Sequence, residues 1–154
     1  MVDIRPERAD HPQVQALLAA LDGHLRSLYP PEANHILSVE ELLAPGVTLF
    51  AAWQGERAVG CGAVRLSAPI DDQRYGEIKR MYVDPDVRGE RVAEGVLQRL
   101  EAALLDADVP LARLETGRHQ HAAIRLYERC GYRPCAAFGG YPDNGLSLFY
   151  EKRL

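Results

Sequence analysis

Apolar residues recur along this chain in two periods, and the changes of period mark its elements. From His11 to Tyr29, the residues Val14, Leu17, Leu18, Leu21, Leu25 and Leu28 return at three- and four-residue spacing. That is the stripe of an amphipathic helix, with Gly23 as a weak point inside it. Tyr29-Pro30-Pro31 ends it, because a residue before proline is pushed out of helical geometry. Ser38 predicts a helix start over Val39 to Leu43, with Glu41 placed three residues on to complete a capping box. Strands are predicted over Val2 to Pro6, Val47 to Trp53 and Ala58 to Leu66, the last two joined by a hairpin turn at Gln54 to Arg57. Gly60 and Gly62 in the returning strand allow a bulge or a close backbone approach. Pro69 to Gln73 reads as a loop.

The stretch Tyr75 to Leu100 organises the rest. Ile78, Met81, Tyr82 and Val83 supply strand-forming bulk, and Asp84-Pro85-Asp86 stops the strand. Arg88-Gly89-Glu90-Arg91 is a turn. Val92, Val96, Leu97 and Leu100 then repeat at helical spacing, in a helix that runs to about Ala107. Such a helix aims free N–H groups and its positive dipole end at the turn, a seat for an anion such as a pyrophosphate. Val109 to Thr116 is a strand and His119 to Cys130 a helix closed by Gly131. Tyr132 to Ala137 is extended, Phe138 to Gly145 is a turn-rich loop, and Leu146 to Lys152 is a final alternating strand. The order implies one α+β domain over residues 1–154, a mixed sheet flanked by helices.

Composition narrows the partners. A net charge of −4 without a basic run argues against nucleic acid. No apolar stretch is long enough to span a membrane, and MVDIRPERAD lacks a signal-peptide core. The three cysteines, Cys61, Cys130 and Cys135, have no metal-type spacing, and the five histidines show neither a triad nor zinc spacing. The expectation is a cytoplasmic protein with reduced thiols and no metal.

Two motifs add a resemblance. Glu77-Ile78-Lys79-Arg80-Met81-Tyr82-Val83-Asp84-Pro85, followed by Val87-Arg88-Gly89, resembles the acetyl-CoA-binding core of the GNAT N-acetyltransferase superfamily. Ala123-Ile124-Arg125-Leu126-Tyr127-Glu128 with Gly131-Tyr132 is similar to that superfamily's last-helix signature, A-x-x-L-Y-E-x-x-G-F/Y. The resemblance implies a mixed, mostly antiparallel sheet of six to seven strands with about four helices. It also implies acetyl-CoA as the cosubstrate and direct attack by an amine within a ternary complex.

Residue roles follow from the same resemblance. Backbone N–H groups of Val87, Arg88, Gly89, Glu90, Arg91, Val92 and Ala93 would wrap the pyrophosphate. Arg91 stands where the superfamily usually has glycine, and either crowds the phosphate or offers it a guanidinium. The Met81 N–H would polarise the thioester carbonyl, while Tyr82 and Val83 run beside the pantetheine. Gln120 and Ala123 would line the same channel. Tyr127 is the candidate acid for the departing thiolate. Glu77 is the candidate base, with a structural ion pair to Lys79 or Arg80 as the competing reading. The acceptor would be a small polar amine met by Tyr29, Glu32, His35 and Tyr141, and the chain a monomer or homodimer. A non-catalytic acyl-CoA-binding or regulatory module, or an enzyme acting on protein lysine or N-terminal amines, stays open as an alternative. A nucleotide-binding protein is weaker, since neither G-x-x-x-x-G-K-[ST] nor G-x-G-x-x-G is present.

Overall fold

A computed structural model of the chain describes residues 2–30, 36–67, 74–87 and 91–154. Its elements are β1 (Asp3–Pro6), α1 (Pro12–Leu28), α2 (Val39–Leu42), β2 (Val47–Gln54), β3 (Arg57–Leu66), β4 (Gly76–Val83), α3 (Val92–Asp106), β5 (Leu111–Gly117), α4 (His121–Arg129), β6 (Arg133–Pro134) and β7 (Ser147–Arg153). They form one seven-stranded sheet in the order β1-β2-β3-β4-β5-β7-β6. Among the described residues only the central β4–β5 pair is parallel, and the other neighbouring strands pair antiparallel.

Alternation along the strands feeds two cores, one on each face of the sheet. Phe50, Ala52, Val64, Ile78 and Leu114 face Val96, Leu97, Leu100 and Leu104 of α3 and Leu126 and Tyr127 of α4. Leu49, Ala51, Trp53, Cys61 and Ala63 face Val14, Leu17 and Leu18 of α1 and Leu42 of α2. The stripe read in the sequence is therefore the buried face of α1, and Gly23 sits within an unbroken helix. At α2 the capping box forms as expected. Glu41 N–H donates to Ser38 Oγ at 3.1 Å, and Ser38 N–H to Glu41 Oε1 at 3.1 Å.

Three boundaries move by more than one residue. Strand β5 starts at Leu111 rather than Val109, since Asp108 is left-handed (φ 58°) and Pro110 has no N–H. Helix α4 starts at His121 rather than His119, because Gln120 is non-helical and its N–H closes a turn onto the Gly117 carbonyl at 3.0 Å. Of the extended stretch 132–137, Arg133 and Pro134 pair with β7, and the Cys135 N–H adds a bond to the Phe149 carbonyl at 2.9 Å.

Two irregularities in the sheet make the site. The β3–β4 ladder pairs Cys61 with Tyr82 and Ala63 with Lys79, so Gly62 faces both Arg80 and Met81. That is a β-bulge, and its extra residue is left out of the ladder. Glycine at 62 is required, since a Cβ there would lie 2.4 Å from Met81 Sδ and 2.8 Å from Val96 Cγ1. The second irregularity is a splay. Strands β4 and β5 pair at Gly76–Ala112, Glu77–Arg113 and Ile78–Leu114, then run on to Val83 and Gly117 without pairing.

Candidate active site

The splay opens a cleft of about 1220 Å³. One wall is Met81, Tyr82 and Val83 of β4. Val87 and the entry to α3 at Arg91, Val92 and Ala93 form its upper end. Gln120 and Ala123 of α4 and the Tyr127 ring form the opposite wall. Every described residue expected to meet the cofactor therefore lines one cavity. Arg88, Gly89 and Glu90 of the proposed pyrophosphate turn, and Glu32 and His35 of the proposed acceptor site, lie outside the described residues.

The entry to α3 is chemically distinctive. Arg91 is its N-cap, in the left-handed region (φ 59°), and no side chain among the described residues caps the helix. The first intrahelical bond is Gly95 N–H to the Arg91 carbonyl at 3.1 Å. The amides of the first turn thus have no intrahelical acceptor, and Arg91, Val92 and Ala93 line the cleft. Helix α4 also starts at the cleft wall without a side-chain cap.

Tyr127 is 6% exposed and packs edge-on to Tyr132 at 5.9 Å. Burial raises its pKa above the ordinary phenol range, so it stays a neutral hydroxyl. Glu77 is not part of the cleft wall. It is 3% exposed and held in a network: Arg65 Nη2 donates to Oε1 at 3.2 Å, and Lys79 Nζ and the Tyr141 hydroxyl donate to Oε2 at 3.3 and 2.5 Å. Lys79 also donates to Tyr141 Oη at 2.6 Å and itself lines the cleft. The ion-pair partners of Glu77 are Lys79 and Arg65; Arg80 is turned to Asp22 instead. Tyr141 is fixed away from the cleft wall, its ring among Phe138 and Phe149. Its pKa is raised by burial first and by the Glu77 hydrogen bond second.

Glu115, which the sequence reading passed over, does line the cleft, as do Glu94 and Glu101 of α3. The parallel register pairs Glu77 with Arg113, so two residues further along, Lys79 and Glu115 flank the mouth of the splay on one face. Ser147 Oγ on β7 donates to Glu115 Oε2 at 2.7 Å. A charged residue breaking an apolar strand just before the tyrosine-bearing helix was the available signal. Tyr29 closes the same end. Its hydroxyl accepts the His119 N–H at 3.0 Å, its ring stacks on His119 at 5.9 Å, and it lies so close to Gly117 that a Cβ there would be 1.9 Å from Oη. Burial raises the Tyr29 pKa, and the Glu115 charge adds to the rise.

Comparison with known proteins bears on this arrangement directly. The profile of the acetyltransferase (GNAT) family matches residues 14–132. The chain belongs to the GNAT acetyltransferase family. It is 38% identical over 141 residues to an IAA acetyltransferase of Azospirillum brasilense, covering 92% of this chain and 90% of that protein. A Klebsiella pneumoniae protein assigned as an acyl-CoA N-acyltransferase superposes with a TM-score of 0.81 at 38% identity, covering 100% of this chain and 98% of the other. The PaiA N-acetyltransferase of Thermoplasma acidophilum, solved in complex with coenzyme A, superposes with a TM-score of 0.75 at 15% identity, over 100% and 99% of the two chains, and so shares the fold. This GNAT protein is an acyltransferase enzyme, of a family whose solved members include coenzyme A complexes. No helix among its described residues is long and apolar enough to cross a membrane.

Proposed function

We propose that this GNAT enzyme moves an acetyl group from acetyl-CoA to the amine of a small polar molecule, both bound at once in the β4–β5 splay. The observation that carries the reading is the bulge at the mouth of that splay. It frees a β4 amide from the ladder beside a cavity whose far end is an uncapped helix start. The fit to the cosubstrate is twofold: backbone donors suited to pyrophosphate at α3, and a slot between two strands suited to the extended pantetheine.

Acetyl-CoA supplies the activated thioester. The N–H of Met81 donates to the carbonyl oxygen as negative charge develops on it, where a preorganised donor is most effective. The Tyr127 hydroxyl donates to the departing sulfur. An alkyl thiol has a pKa of ~8.5 and the buried phenol a higher one, so Tyr127 stabilises the thiolate by a hydrogen bond more than by surrendering its proton. Glu115 faces the acceptor end and takes the ammonium proton, with Ser147 holding its carboxylate. Glu77 acts behind Lys79, holding that side chain at the cleft wall and tying it to the Tyr141 hydroxyl away from the wall. Tyr29, with Lys79 and Glu115, gives the acceptor end a polar and aromatic lining suited to a small amine carrying further polar groups.

Release of free CoA, measured across a panel of amines and amino acids with acetyl-CoA present, tests this. Saturable, amine-dependent release is the expected result. Tight acetyl-CoA binding with no amine-dependent release across the panel would overturn it.

A further inference from the structure

The bulge on which that reading depends has an unusual residue at its corner. Arg80 is a β4 residue in left-handed backbone geometry (φ 59°), which a side chain adopts only when its surroundings over-determine it. Those surroundings are specific. The Arg80 carbonyl accepts the Cys61 thiol at 3.5 Å from β3. The side chain, 6% exposed, crosses to helix α1, where Nη1 donates to Asp22 Oδ1 at 2.5 Å and Nη2 to the Leu18 carbonyl at 3.5 Å. Its Nε is buried without an acceptor among the described residues. A cavity of about 430 Å³ borders Arg80 between α1 and residues 36–39, but Asp22 already neutralises the guanidinium, which argues against an anion site there.

A bulge is one residue away from a regular ladder. Removing it slips the register and turns each following side chain to the opposite face of the sheet. For β4 that means Met81 would rejoin the ladder instead of facing the cleft. We infer that the Asp22–Arg80 pair is a positioning clamp: it holds the bulge in β4 and so aims the Met81 N–H, and it ties that amide to α1, whose Leu21, His24 and Leu25 line the cleft. The inference rests on the role given to Met81 above. Removing Asp22 leaves a buried cation without its counter-charge, and the bulge becomes the part of the structure that relaxes.

The test pairs a spectroscopic arm with a kinetic one on Asp22→Ala, and on Asp22→Asn should the alanine variant fold poorly. In ¹⁵N spectra, the amides of Met81 and Tyr82 should shift and exchange faster with solvent, while those of β2 stay in place. In steady state, kcat should fall about 10- to 100-fold, the scale of a misaimed catalytic group, with acetyl-CoA affinity held within about twofold. Asp22→Glu should recover most of the kcat. Unmoved Met81 and Tyr82 amides overturn the clamp. So does a kcat equal to wild type, or a kcat loss matched by equal losses of acetyl-CoA affinity and melting temperature. If the wild-type enzyme turns over no amine, the acetyl-transfer reading falls instead, and the amide shifts alone decide the clamp.

Discussion

Replacing Arg91 by glycine should make the enzyme more stable and bind acetyl-CoA slightly more weakly. Arg91 is exposed and enters α3 at φ 59° without a side-chain cap. An L-residue in that region costs roughly 1–2 kcal/mol. Glycine removes that cost but loses roughly 0.4–1 kcal/mol more backbone entropy on folding. The net gain is about 0.5–1 kcal/mol, and a chain of this length converts it into a rise in Tm of about 1–4 °C. Arg91→Ala keeps the Cβ, keeps the strain and should melt close to wild type. Both variants lose the same exposed charge, so both should weaken acetyl-CoA about two- to fivefold, less at high salt. Thermal melts and calorimetry at two salt concentrations, on both variants, measure the two effects separately. The reasoning is refuted if glycine gains no stability over alanine. Tighter binding in Arg91→Gly than in wild type would show instead that the arginine obstructs the phosphate seat.

Tyr127→Phe should lower kcat by about 10²-fold or more with little change in acetyl-CoA affinity or Tm. Because burial raises the Tyr127 pKa, wild-type kcat should show no alkaline loss from this group below pH 10; a near-normal kcat in the variant would make the ring a packing residue only. Glu115→Gln should depress kcat/KM most at low pH, where the amine is protonated, whereas Glu77→Gln should chiefly cost stability, roughly 3 kcal/mol for removing the charge that a buried cation pairs with. The reverse pattern would return the base role to Glu77. Burial pushes the Cys61 thiol up to about 12 from 9.0. The unfolded thiol therefore ionises first. Its contribution to stability is complete below pH 9 and is lost as pH rises toward 12. A thiol reagent at pH 8 should reach Cys61 only on unfolding, and labelling in the folded state would contradict that burial.

Much of this was legible because local chemistry and global fold agree. The α1 stripe, the Ser38 capping box, Gly62 and the strand and helix on either side of residues 88–90 each carry their signal within a few residues, and the structure uses each of them. What escaped depends on strand pairing. Whether Glu77 or Glu115 reaches the cleft follows from where β4 and β5 stop pairing, and no period in either strand encodes that. Arg80 and Asp22 are far apart in sequence and meet only because the bulge turns one side chain toward α1. Arg91 stands where the family usually has glycine, but the left-handed geometry at that position appears only in the backbone.

Acetyl-CoA is expected to lie in the splay with its thioester at the bulge. A ¹⁵N-labelled sample titrated with acetyl-CoA tests it without needing the acceptor. The amides of Met81, Tyr82 and Val83 on β4 and of Arg91, Val92 and Ala93 at the start of α3 should shift together along one saturable curve, with β1 and α2 unmoved. Saturable shifts that leave both groups in place would contradict the account.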